Sequence, residues 1–182
     1  MNCLIRGEDK WLEYKSTFRV DSKTGEKFAP VETSAIKTVA AFLNSYDGGT
    51  LLLGVAEDGD GRGVPFGLEL DYVTVRKAGK GDADMFGLML NQVLASALGL
   101  AAIANLTTEI VALGGVDICR VHVKPCGFPV EAKIVTVDKK GQHAKKTCCY
   151  FRLNNGTSPP LAADDPEWQR YIAQRWPGLT TA

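Results

Sequence analysis

The chain has no excess of either charge: 21 Lys and Arg balance 21 Asp and Glu across 182 residues. Any nucleic-acid surface must therefore be a local patch and not a globally basic body. Long apolar runs are also missing. Leu51 to Val55 and its neighbours fall far short of the ~20 residues that cross a bilayer, and the N-terminus lacks a hydrophobic signal segment. No membrane association is expected. Cysteine is sparse: Cys3, Cys119, Cys126, Cys148 and Cys149 form an odd set without a Cys-x-x-Cys spacing, which points to reduced thiols and a cytoplasmic protein. Only Cys126, His143, Cys148 and Cys149 offer zinc-type ligands, and zinc is not expected, because strand alternation would turn Cys149 inward and its neighbour outward. The Gly-x-x-x-x-Gly-Lys-Ser/Thr phosphate loop is absent, as are repeats and low-complexity tracts. Asp58-x-Asp60 is not a calcium loop, since Arg62 stands at the next ligand position.

What is present reads as one domain, 1–182, with its core at about 8–176. Ile36, Val39, Ala40 and Leu43 repeat at helical spacing between Pro30 and Asn44, and Asp47-Gly48-Gly49 ends the pattern. Leu51-Leu52-Leu53 lacks alternation, as a strand covered on both faces would. A second amphipathic helix is read from an Asp84 N-cap through Phe86, Leu90 and Leu94 to Gly99. Leu106–Leu113 and Val116–Val123, separated only by Gly114-Gly115, predict a hairpin, with His122 on its exposed side. A last helix is expected from about Asp165 to Arg175, packing Trp168, Tyr171, Ile172 and Trp176.

Chemistry concentrates in four places. Glu8 and Glu13-Tyr14-Lys15 lie near the start, and Glu57-Asp58 lie where the central strand ends. Acids from both places could share a divalent cation, while Lys15, on the same strand face as Glu13, could neutralise a phosphate oxygen. The plainer alternative is a set of surface acids, with Lys15 paired to one of them and Glu57-Asp58 as turn residues. Arg76, Lys77 and Lys80 form a basic flexible stretch, and Lys139, Lys140, Lys145 and Lys146 another, a solvated hairpin tip able to track a phosphate backbone. Tyr46, Tyr72 and Phe128 are candidate base-stacking rings.

Three segments in order, Glu8-x-x-x-x-Glu13-Tyr-Lys15, Ile36 to Val55 with its Asn-Ser-Tyr-Asp-Gly-Gly-Thr-Leu-Leu-Leu-Gly run, and Tyr150-Phe-Arg152-Leu-Asn-Asn155-Gly-Thr-Ser-Pro159, resemble the Schlafen AlbA-type domain. The resemblance implies an α+β fold with a mixed sheet flanked by helices and a nucleic-acid-binding role, on DNA or RNA. In animal Schlafens two related lobes form a horseshoe around structured RNA, and one lobe cleaves transfer RNA with three carboxylates and a metal. Carried over, this implies a Mg²⁺- or Mn²⁺-dependent endoribonuclease site with Glu8, Glu13, Lys15 and Glu57 as catalytic residues. The metal ligands would be Glu8, Glu13, Glu57 and Asp58. Lys15, Arg76, Lys77, Lys80, the four hairpin lysines and Arg152 would contact nucleic acid. Two departures favour a non-catalytic binding module instead: Ala56 occupies the first acidic position after Gly54-Val55, and Ser158 stands where many relatives carry arginine. A third expectation is self-association, a two-fold homodimer rebuilding the two-lobed groove.

Overall fold

The computed structural model describes residues 5–137, 141–154 and 156–179. In chain order the elements are β1 (Leu12–Lys15), α1 (Ala29–Asn44), β2 (Gly49–Leu53), β3 (Val55–Glu57), β4 (Gly63–Pro65), α2 (Glu69–Val73), α3 (Asp82–Leu98) and α4 (Leu100–Ile103). They continue with β5 (Leu106–Leu113), β6 (Val116–Val123), β7 (Glu131–Val137), β8 (His143–Cys149), β9 (Arg152–Leu153), β10 (Gly156–Thr157) and α5 (Pro166–Arg175).

The central sheet has the order β1-β2-β6-β5. β1 and β2 are parallel, Leu12 opposite Thr50 and Lys15 opposite Leu53, a pairing that needs a long crossover, and α1 lies between them in the chain. The remaining pairs are antiparallel, and the β5–β6 hairpin turns on Gly114 and Gly115, both at positive φ (63° and 86°). Leu51, Leu53, Cys119, Val121 and Val123 face α1 and α3, whose Val39, Phe42, Phe86, Leu90 and Leu94 complete the main core. Leu52 faces the other way, into a small cluster with Leu12, Tyr14, Val55 and Ile118. All three leucines of β2 are thus buried, as their lack of alternation requires.

β7 and β8 form a separate two-stranded ribbon that packs on α1 and α3 through Ala132 and Ile134. Its far side meets α5, where Cys149, Trp168 and Trp176 form a third cluster. This corrects one expectation: Cys148 and Cys149 are both buried, on opposite faces, because the ribbon's root is covered on both sides. A second correction concerns α3, which begins two residues before Asp84, behind an extended Gly81 N-cap, so that Asp82 and Asp84 both sit in the first turn. There they favour the positive end of the helix dipole. The last helix starts as read, its Asp165 side chain capping the Glu167 amide. Among the described residues no helix is long and apolar enough to cross a membrane.

Candidate functional site

Alternation along β1 sends Leu12 and Tyr14 into the small cluster and Glu13 and Lys15 to the opposite face. There Glu13 is held from two sides. Lys15 Nζ lies 2.6 Å from its Oε1 and Arg152 Nη1 lies 2.9 Å from its Oε2. Arg152 also donates to the carbonyls of Asp9 (2.7 Å) and Lys10 (3.2 Å), and its guanidinium stacks 4.7 Å from the Phe42 ring centre. Only 1% of the Arg152 side chain and 14% of the Glu13 side chain are exposed. Burial by itself would raise the Glu13 pKa, but the two cations outweigh it and hold the carboxyl below its ordinary range.

Glu8 sits at the rim. Its Oε1 accepts the Tyr14 amide at 2.8 Å on the side of β1 turned away from β2, satisfying one donor of the sheet edge. Its pKa is raised, first by partial loss of water and then by Glu13 and Glu57, against the Tyr14 amide and Lys15. Glu57 is exposed at the end of β3. It belongs to the Tyr14 side: the Tyr14 hydroxyl donates to the Gly61 carbonyl (3.0 Å), and a Cβ on Gly61 would lie 3.6 Å from Glu57 Oε1. Glu8 is thus within electrostatic reach of both Glu13 and Glu57. Asp58 closes its own turn, its Oδ1 accepting the amides of Asp60 (2.9 Å) and Arg62 (2.8 Å). Among the described residues no three His, Cys, Asp or Glu side chains gather as a metal site.

The cations divide similarly. Arg76 is bound by Glu69 (2.9 Å) and Asp82 (2.8 Å), whereas Lys77 and Lys80 are exposed between α2 and α3. Lys145 and Lys146 project from β8, while Lys139 and Lys140 lie outside the described residues. Lys133, on β7, joins them and was missed by a search for runs of basic residues, because its neighbours in sequence are apolar. Of the candidate stacking rings, Tyr72 is buried, while Tyr46 is 57% exposed with the Arg175 guanidinium 5.0 Å from its ring. Trp11, 48% exposed and tied by Nε1 to Asp47, was also missed. Its place beside Lys10, just ahead of a strand, was the only signal available.

Residues 8–161 match the family described as Schlafen, AlbA_2. The chain belongs to that family. No curated protein matches this Schlafen AlbA_2 domain. It resembles the crystal structure of the DIP2311 protein from Corynebacterium diphtheriae at TM-score 0.53 and 17% identity, over 91% of this chain and 24% of that one. The domain thus spans about a quarter of that protein's length, and the likeness concerns the fold. The N-terminal domain of a RecG-related protein from Nitrosomonas europaea aligns at TM-score 0.38 and 25% identity, over 72% of this chain and 71% of that one.

The most distinctive segment of this Schlafen AlbA_2 domain turns out to build the fold. Asn44 is fully buried; its amide donates to the carbonyls of Val130 (2.9 Å) and Tyr150 (2.8 Å) and its carbonyl accepts the Val130 amide (2.8 Å). It therefore ties α1 to the roots of both ribbon strands. Ser45 Oγ accepts the Gly48 amide at 2.8 Å. A Cβ on Gly48 would fall 2.1 Å from the Val123 carbonyl, and one on Gly49 2.3 Å from the Phe42 ring. Ser158 is buried as well, exchanging hydrogen bonds with the Phe151 backbone, so its hydroxyl serves a turn.

Proposed function

We propose that this domain binds nucleic acid through the β7–β8 ribbon and its cations, without cleaving it. The observation that carries this reading is the contrast in charge satisfaction: Lys133, Lys145 and Lys146 are exposed and form no ion pair among the described residues. A two-stranded ribbon is narrow enough to enter a major groove or follow a phosphate path. Family membership supports the same class of partner. Binding of this kind draws its affinity from phosphates and weakens steeply with salt. Fluorescence anisotropy of a labelled duplex and a labelled single strand across a salt series tests it. Replacing all three lysines by alanine is expected to weaken binding and to flatten the salt slope by about 0.7–0.9 per lost phosphate contact. An unchanged slope rejects the ribbon as the interface.

A metal-dependent endoribonuclease is the second reading, favoured by the position of Glu8 within electrostatic reach of both Glu13 and Glu57. Glu8→Gln and Glu57→Gln are the informative variants, because Glu57 is exposed and glutamine can still accept the Tyr14 amide at position 8. Cleavage of structured RNA with Mg²⁺ or Mn²⁺ that either variant abolishes would replace the binding-only reading. The two-fold homodimer belongs here as well. Among the described residues the eight-residue β5 ends the sheet with one side unpaired and Val111 exposed, an edge suited to a second copy. A monomer by light scattering at micromolar concentration rejects that dimer.

A further inference from the structure

Tyr46 stands in the turn between α1 and β2 and Trp11 is tied to that turn, yet 57% and 48% of these two residues remain exposed. Trp11 Nε1 donates to Asp47 Oδ2 (3.3 Å), and Lys10 Nζ bonds the same oxygen (3.0 Å) while lying 5.2 Å from the Trp11 ring centre. Asp47, the carboxylate of the turn, is thus answered by Lys10. Tyr46 meets the Tyr171 ring edge to face and carries the Arg175 guanidinium 5.0 Å from its ring centre. Arg175 donates to the carbonyls of Ser45 (3.2 Å) and Cys126 (3.3 Å) and forms no ion pair among the described residues. Lys124 and Phe128, two positions to either side of Cys126, are both exposed, and Lys124 likewise forms no ion pair among the described residues. Asn44, just before the turn, bonds Val130 and Tyr150, so this surface adjoins the root of the β7–β8 ribbon.

We propose that this turn is a stacking platform for a single-stranded stretch of nucleic acid, with Trp11, Tyr46 and Phe128 covering bases and Arg175 and Lys124 meeting phosphates. The assignment rests on the nucleic-acid reading above and specifies unpaired bases as what this end of the domain receives. Rings interspersed with cations suit a strand in which flat bases alternate with charged phosphates. An apolar protein surface laid on the same rings would leave Arg175 and Lys124 without complementary charge. A base inside a duplex is covered on both faces by its neighbours, whereas the bases of single strands, loops and bulges are free to stack on side chains. Among the described residues none of the three rings contacts another of the three, so each covers a separate base. Trp11 and Tyr46 are already oriented by Asp47, Tyr171 and Arg175, which reduces the ordering cost when a base covers them.

Two measurements on the full chain test the platform. The first compares the affinities of a short single strand and a blunt duplex containing that strand for the wild type, Trp11→Ala, Tyr46→Ala and Leu88→Ala, an exposed apolar control on α3. Trp11→Ala and Tyr46→Ala are each expected to lose about tenfold in single-strand affinity, the worth of one stacked base, with duplex affinity and the Leu88→Ala control unchanged. Trp11→Phe and Tyr46→Phe keep a ring while removing its polar group, and are expected to recover most of that loss. The second measurement needs no variant to fold. Of the three tryptophans, Trp168 and Trp176 are 1% and 5% exposed, so quenching of the fluorescence by acrylamide reports chiefly on Trp11. A short oligothymidine is expected to shield this fluorescence from acrylamide, and the blunt duplex is not. The inference is overturned if the strand leaves acrylamide quenching unchanged, or if the alanine variants lose strand and duplex affinity equally. Shielding that instead follows protein concentration without any nucleic acid assigns the rings to a contact between copies and also overturns it. If the wild type binds the strand and both alanine variants bind it equally well, only the platform falls. If the wild type binds neither polymer, the nucleic-acid reading itself fails.

Discussion

Two charged regions of this domain are built in opposite ways. Around Glu13 every charge is answered: Lys15 and Arg152 hold the carboxylate, and Arg152 spends its other donors on the Asp9 and Lys10 carbonyls. On the β7–β8 ribbon Lys133, Lys145 and Lys146 are exposed and form no ion pair among the described residues. Charge that is internally satisfied and dry organises a fold, because its partners are fixed and cannot be exchanged for a ligand without a large loss. Charge left in solvent contributes little to the fold and remains available to an external phosphate. The acids with the strongest resemblance to a catalytic set thus lie partly in the structural class, and the lysines in the available one.

The largest effects should come from breaking the closed region. Glu13→Gln is expected to cost about 3–5 kcal/mol in urea unfolding, since it leaves the buried Arg152 guanidinium without a counter-charge, and Arg152→Met should cost less, because Lys15 still pairs with Glu13. Replacing both together by apolar residues should recover part of that loss, and strictly additive losses would show that the two side chains are not coupled. Next in size is Gly49→Ala, whose new methyl would meet the Phe42 ring and is expected to cost about 1–3 kcal/mol by the same measurement. A pH series sharpens the contrast within the acids. Because the Glu13 pKa is lowered in the folded state, its contribution is complete above the unfolded carboxylate range and is lost as pH falls through the folded value. Glu8 has the opposite sign: its raised pKa favours folding at low pH, and that contribution is lost as pH rises through the folded value. Glu13→Gln should therefore flatten the acid limb of the stability profile, and Glu8→Gln should not. The smallest effect is expected from the open region, where alanine at Lys133, Lys145 and Lys146 should change stability by less than about 0.5 kcal/mol each. A larger loss would place these lysines in the structural class too.

Much of the architecture was legible because it is written in local periodicity. The α1 stripe, the unbroken leucine run of β2, the Gly114-Gly115 hairpin and the start of α5 near Asp165 each follow from spacing or turn chemistry within a few residues. Alternation on β1 correctly put Glu13 and Lys15 on one face, and the Lys15 pairing was among the readings open at that stage. What could not be read was which residues from elsewhere fill that face. Arg152 meets Glu13 across 139 positions, and the side of β1 to which Glu57 belongs depends on how β3 and β4 fold back. The burial of both Cys148 and Cys149 likewise depends on α1 and α3 on one side of the ribbon and α5 on the other. Asn44 was visible only as part of a resemblance, and its three hydrogen bonds to segments far along the chain explain why that position matters.

The Arg152 clamp also has a bearing on the order of assembly. Within this domain β1 is synthesised well before β9, yet its outward carboxylate and the carbonyls just before it acquire their partner only when residue 152 arrives. During translation this strand remains an unfastened margin of the sheet while the hairpin and helices behind it can already form from nearby contacts. A ribosome-bound chain halted shortly before β9 should therefore be protease-sensitive around β1, and one extended past α5 should be protected there.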